Sequence, residues 1–265
     1  MKKSSLADVL AARRATGRTG FVPFLVAGDP SCAATLKTAR ALAAAGADIL
    51  EVGVPFSDPV ADGPVIQAAG QRALAKGMTL TRAAGLVKSL RRGGVPTPAV
   101  LFTYLNPILR LGVPAFARLC ADSGVAAALI VDLPVEDAGP MTKALASRGV
   151  EIVLLASPTT TDERLRAIGR ASGSVVYYVS REGVTGVRAG LAQGLAERLE
   201  HVRRLTGKAL IVGFGVAEPA QARALAPYAD GVVVGSALVA AAAKGGPAAA
   251  GRLARRLVSA LEASC

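Results

Sequence analysis

The stretch ALIVGFGVAEPAQARALAPYADGVVVGSALV, Ala209–Val239, decides the fold. It opens on a β-branched run, Ala209–Phe214, ends in a second, Gly231–Gly235, and carries an Ala/Leu/Arg segment between them. Both runs are apolar throughout rather than alternating, as in parallel strands buried on both faces. Parallel neighbours need a long crossover, and a helix supplies it. Outward from this unit the same alternation fills the chain, with strand runs at Gly20–Val26, Asp48–Gly53, Ala99–Tyr104, Ala126–Asp132, Val150–Ala156 and Val175–Ser180. The segments between them have helical spacing, as in Leu191, Leu195, Leu199, Val202 and Leu205. Ser31 and Thr161 stand where N-caps belong, and Gly46, Gly93 and Gly207 where C-caps belong. A helix from Leu6 to Arg14 precedes the first strand and is expected to plug the bottom of a barrel. The reading is α/β: a single-domain (β/α)8 TIM barrel over residues 1–265 with an extra N-terminal helix. A doubly wound open sheet is the lesser option.

Composition agrees. A chain of 265 residues, 52% hydrophobic and 19% charged, suits one barrel-sized core. The mean hydropathy of +0.43 raises the question of a membrane protein. The longest apolar run, Gly231–Ala243, is interrupted by Gly235 and Ser236 and falls short of the roughly 20 residues a span requires. Behind Met1-Lys2-Lys3, Asp8, Arg13 and Arg14 interrupt any signal-like apolar region, so a cytoplasmic protein is expected. Cys32, Cys120 and Cys265 are odd in number and lack a CxxC pair, which fits a reducing compartment and no zinc site. The tail from Ala237 onward reads as ordinary helix. The net charge of +12 falls in short clusters at helix ends (Arg13-Arg14, Arg91-Arg92, Arg203-Arg204, Arg255-Arg256) without interleaved aromatics. That distribution favours an anionic small substrate over nucleic acid.

In a barrel of this kind chemistry sits on the loops after the strands. His201, the only histidine, lies on a polar helix face, so proton transfer falls to a carboxylate, lysine or tyrosine. Glu51 stands inside the second strand run, where burial raises a carboxyl pKa toward neutrality. Asp62 lies in the loop PFSDPVADGP, Pro55–Pro64, which three prolines stiffen, and Asp58 shares that loop. The last three strand ends each bear glycines: Gly183 and Gly186, Gly213 and Gly215, and Gly235 before Ser236. Convergent backbone N–H groups there, with a helix N-terminus after the eighth strand, make a phosphate cradle. Arg181–Gly190 is longer than usual for such a connection and reads as a lid.

These residues together resemble the tryptophan synthase alpha subunit family. The resemblance rests on FVPFLVAGDP (Phe21–Pro30), GADILEVGVPFSDPVADGPVIQ (Gly46–Gln67), LFTYLNPI (Leu101–Ile108), IVDLPVED (Ile130–Asp137), YYVSREGVTG (Tyr177–Gly186), GFGV (Gly213–Val216) and GSALV (Gly235–Val239). It implies a lyase that cleaves indole-3-glycerol phosphate to indole and glyceraldehyde 3-phosphate without metal or organic cofactor. It implies Glu51 as the acid/base and Asp62 as the group stabilising the cationic indolenine through the indole N–H. Phe24, Tyr104, Leu129 and Tyr177 match positions lining the indole and glycerol pocket. Gly186, Gly215, Gly235 and Ser236 would hold the phosphate, and Thr185 would reach Asp62 when the lid closes. Asp58, Pro59, Asn106 and Pro107 match the face that meets a beta subunit in an assembly of two alpha and two beta chains. Glu182 departs from the family pattern by placing a negative charge in the lid. Two other readings stay open here: a sugar-phosphate isomerase or epimerase on a similar barrel, and a catalytically silent activator of a beta subunit.

Overall fold

A computed structural model describes residues 4–179, 189–213 and 215–262, with the backbone alone for 189–193. Eight strands, β1 (Gly20–Val26), β2 (Leu50–Gly53), β3 (Ala99–Thr103), β4 (Ala127–Ile130), β5 (Glu151–Ala156), β6 (Val175–Val179), β7 (Ala209–Gly213) and β8 (Gly231–Val234), pair in chain order as a closed parallel barrel. Closure is made by β1 on β8, with Phe21 opposite Val232 and Pro23 opposite Val234, which rules out the open sheet. Nearly every strand residue is buried, as the unbroken apolar runs require.

The first helix, α1 (Leu6–Arg14), closes the bottom as expected. Its start is stitched to the barrel by Leu6 N–H on Glu151 Oε1 at 3.0 Å and Ala7 N–H on Ser174 Oγ at 3.1 Å. Leu10 then fills the space left by Gly20 and Gly231, where a Cβ on Gly20 would collide with its side chain. The basic clusters are partly spent here. Arg13 and Arg18 pair with buried Asp48, which also accepts Phe21 N–H at 2.8 Å, and Arg203 pairs with Asp230 at 2.6 Å.

Helices follow the strands as α2 (Cys32–Ala44), α3 (Pro64–Ala75), α4 (Leu80–Arg92), α5 (Leu105–Leu111), α6 (Val113–Ser123), α7 (Gly139–Ala146), α8 (Asp162–Ala171), α9 (Ala189–Thr206), α10 (Pro219–Leu225) and α11 (Ser236–Glu262). Ser31 and Thr161 cap α2 and α8 through their side chains. Two departures from the one-helix-per-crossover expectation matter for function. The connections after β2 and β3 each hold two helices, α3 with α4 and α5 with α6. Gly112, at φ +91°, lets the chain leave α5 and enter α6, a backbone that L side chains rarely adopt. The tail is not one ordinary helix either. It breaks at Gly245 and Gly246, whose backbone is non-helical, just ahead of Pro247, which has no N–H to continue the ladder. No helix among the described residues is long and apolar enough to cross a membrane.

Candidate active site

Glu51 is carried by β2 between Phe24 of β1 and Val100 of β3 and is 2% exposed. Burial, reinforced by the negative charge of Asp62, pushes its carboxyl from an ordinary 4.5 up to about 8. Tyr177 on β6 is in electrostatic contact with Glu51, and burial and that charge hold its phenol far up as well. Asp62 lies in the loop that leads into α3 and is half-buried. Its carboxyl is raised from 3.8 to about 6 by burial, with a hydrogen bond from Tyr104 opposing the rise. At neutral pH the pair is therefore split: Glu51 keeps its proton and Asp62 is an anion.

The frame around the two carboxyls depends on missing side chains. The Phe24 ring lies over Gly53 and the Tyr177 ring over Gly213, so that a Cβ at either glycine would enter the ring. Phe24 meets Phe102 edge-to-face, with centroids 5.4 Å apart and planes at 81°. Leu129 is opposite Phe102 in the β3–β4 register and 1% exposed. A cleft of about 680 Å³ opens over β3 to β6, walled by Val60, Ala61, Phe102 and Tyr177 with Ser157 and Thr160 at its edge. Sequence reading did not single out Phe102. Its signal was faint, because an aromatic at the end of an apolar strand run looks like any other core residue.

The loop carrying Asp62 is anchored from several sides. Asp62 N–H donates to Pro59 O at 3.0 Å, and Gln67 Nε2 donates to Asp62 O at 2.8 Å. Helix α3 is tied to the loop after β1 by a two-bonded Arg72–Asp29 pair at 2.8 and 2.9 Å. Asp58 in the same loop is exposed and accepts Ser57 Oγ at 2.5 Å, while Pro59 is half-buried. Asn106 is exposed and Pro107 half-buried in the first turn of α5.

At the far side of the mouth Gly235 precedes Ser236, the first residue of α11, and a Cβ there would meet only Ile66 and Phe24 at 3.7 Å, ordinary contact. Packing inside the protein thus leaves room at Gly235 and does not by itself demand glycine. Gly215 takes φ +71°, which does favour glycine. Thr185 and Gly186, with residues 181–188 of the Arg181–Gly190 segment read as a lid, lie outside the described residues, as does Phe214, while Ala189 and Gly190 begin α9. His201 does not line the cleft, and its Nε2 lies 2.7 Å from Asp162 on α8. Among the described residues no group of three His, Cys, Asp or Glu side chains is placed to hold a metal ion.

Comparison with known proteins follows the same outline. The family model described as tryptophan synthase alpha chain matches residues 10–263. A tryptophan synthase alpha chain from a Caulobacter species is 48% identical over 239 residues, covering 90% of this chain and 87% of that one. One from a Picosynechococcus species is 44% identical over 246 residues, covering 92% and 93%. Among solved structures, Mycobacterium tuberculosis tryptophan synthase superposes with a TM-score of 0.90 at 37% identity, covering 98% of this chain and 99% of that one. Tryptophan synthase subunit alpha from Legionella pneumophila does so with a TM-score of 0.90 at 34% identity, covering 98% and 100%.

Proposed function

The chain belongs to the tryptophan synthase alpha chain family, and from that membership we propose which of its residues carry the reaction. The enzyme is a lyase of tryptophan biosynthesis that cleaves indole-3-glycerol phosphate to indole and glyceraldehyde 3-phosphate, and its partner is a beta subunit. In our reading Glu51, protonated at neutral pH, gives its proton to indole C3 and so creates the cationic indolenine. The resulting carboxylate takes the proton from the glycerol hydroxyl while the carbon–carbon bond breaks and its electrons return to the ring. Asp62, already an anion, accepts the indole N–H as positive charge develops on the ring, where opposite charge in a site shielded from water is worth several kcal/mol. The observation that carries this assignment is a carboxyl buried inside β2 with a second, half-buried carboxyl coupled to it, which holds Glu51 near 8 and leaves Asp62 near 6. Indole release followed against pH tests it: turnover should peak between about 6 and about 8 and fall on both sides. A flat profile across that window would remove the pair from the mechanism.

We assign Phe24, Tyr104, Leu129 and Tyr177 to the indole and glycerol pocket, and Gly186, Gly215, Gly235 and Ser236 to the phosphate, with Thr185 reaching Asp62 from the lid. The bare backbone at Gly235, opening a helix, supports the cradle. Gly235→Val should weaken binding of a glycerol phosphate analogue by about tenfold or more, the worth of a hydrogen bond to a charged group. Affinity for indole alone should stay nearly unchanged. Calorimetry showing equal loss for both ligands would mean that the barrel, not a cradle, was damaged.

We further propose that residues 1–265 act as one barrel domain in the cytoplasm, in an assembly of two alpha and two beta chains. The unpaired Cys32 and Cys120 support a reducing compartment. The large apolar side chains exposed among the described residues, Val60, Val65, Leu109 and Leu111, all fall on the Asp62 loop, α3 and α5. Exposed apolar side chains on the same loop and helices as Asp58, Pro59, Asn106 and Pro107 support a docking face there. Asp58→Ala should reduce activation by the beta subunit while leaving the isolated chain's basal indole release within about twofold of the parent, as surface changes away from the chemistry do. Sedimentation of the two chains at micromolar concentration without a complex would exclude the assembly.

A further inference from the structure

Asp62 is held at its main chain by Pro59 and Gln67, but its carboxyl group is reached from a different strand. Tyr104 follows β3 at the N-cap of α5 and is 1% exposed. Its ring stacks on Phe56 of the Asp62 loop, with centroids 5.0 Å apart and planes at 28°. The phenol oxygen accepts Ala61 N–H at 3.2 Å, which sets the hydroxyl beside the next residue, Asp62, whose carboxyl it favours as the anion. A phenol has one proton, and with a lone pair engaged by Ala61 that proton is free to be aimed at the adjacent carboxylate. Behind the ring the next residue is fixed in turn, since Leu105 N–H donates to Asp132 Oδ1 at 2.7 Å. Ring, hydroxyl and following peptide are thus all committed to partners within the protein.

We propose that Tyr104, beyond lining the pocket, is a positioning residue for this reaction, whose ring and hydroxyl hold the Asp62 loop and orient the Asp62 carboxylate. The inference rests on the reading of Asp62 as the charge-stabilising group. Its effect on ionisation follows from the direction of the bond. A donor to the carboxylate favours the anion and holds Asp62 below the value that burial would impose. The other titratable groups facing this pair are Glu51 from β2, which couples to Asp62, and Asp132 after β4, which acts on Tyr104.

The test is a pair of substitutions, alone and combined, in the full chain with its beta subunit. Tyr104→Phe keeps the buried ring and its stack on Phe56 and removes only the hydroxyl. Indole release should fall about tenfold at neutral pH, the worth of one hydrogen bond to a charged group, with KM for indole-3-glycerol phosphate within about threefold of the parent. The acid limb of the turnover profile should move to higher pH, a shift that a merely loosened fold does not produce. In an Asp62→Asn background the same substitution should change turnover by less than about twofold, because the group it serves is gone. An unmoved acid limb, or an equal loss in both backgrounds, overturns the proposal while leaving Asp62 in its role. Full activity of Asp62→Asn alone overturns the reading of Asp62 and the inference with it.

Discussion

Glu51→Gln is expected to keep the barrel closed and substrate bound while losing about 10²–10⁴-fold in turnover, the range for removing a general acid/base. The amide is nearly isosteric with the acid but cannot give and then reclaim a proton. The same substitution should make the protein more stable at high pH. In the folded chain the Glu51 carboxyl holds its proton to about 8, whereas the unfolded chain releases it near 4.5. Its contribution to stability is fully present below 4.5, falls as pH rises through the interval, and is gone above about 8. Glutamine does not titrate, so the variant's advantage should grow over that window, on the order of several kcal/mol at its upper end. Thermal unfolding at pH 5 and pH 9 reads this directly. Turnover within a few-fold of the parent removes Glu51 from its role, and parallel stability profiles for the two chains contradict a buried carboxyl.

Asp62→Asn should cost about 10²–10³-fold in turnover, of the size seen when one preorganised group facing developing charge is lost. KM should change far less, because the positive charge on the indole ring is absent in the ground state. The profile against pH should report the coupling as well. The Asp62 anion disfavours ionisation of Glu51 and helps to raise it, so its removal should bring the alkaline limb down from about 8. The acid limb set by Asp62 should vanish. A change confined to KM, or an alkaline limb that stays in place, counts against the pairing.

Both effects start from residues readable in the chain. Glu51 stood out because a carboxylate inside a run of buried strand residues needs a reason, and Asp62 because prolines stiffen its loop. The value of each carboxyl was not readable, since it depends on groups brought from other strands. Phe102 escaped notice for a related reason. Its edge contact with Phe24 crosses from β3 to β1, over Gly53 of β2, and no local pattern announces it. The second helices after β2 and β3 are not announced because helical spacing runs on from one helix into the next, and only the positive φ of Gly77 with the Thr79 cap, and that of Gly112, divide them. The break in α11 is legible in Gly245-Gly246-Pro247, although the alanine content around it reads as continuous helix.

The sequence by itself determined the alternation of strand and helix, the α1 plug, the capping residues and membership of the barrel class. These are local properties: a strand buried on both faces is apolar at every position, and a cap is a matter of one side chain and the next turn. The tertiary structure alone decided that Tyr104 meets Ala61, that its ring stacks on Phe56 of the Asp62 loop, and that the Tyr177 ring lies over Gly213. Such contacts arise from the register in which eight strands close on one another. Closure brings residues far apart in the chain within hydrogen-bond reach, and the burial and electrostatic coupling that set a carboxyl's proton exist only once that has happened.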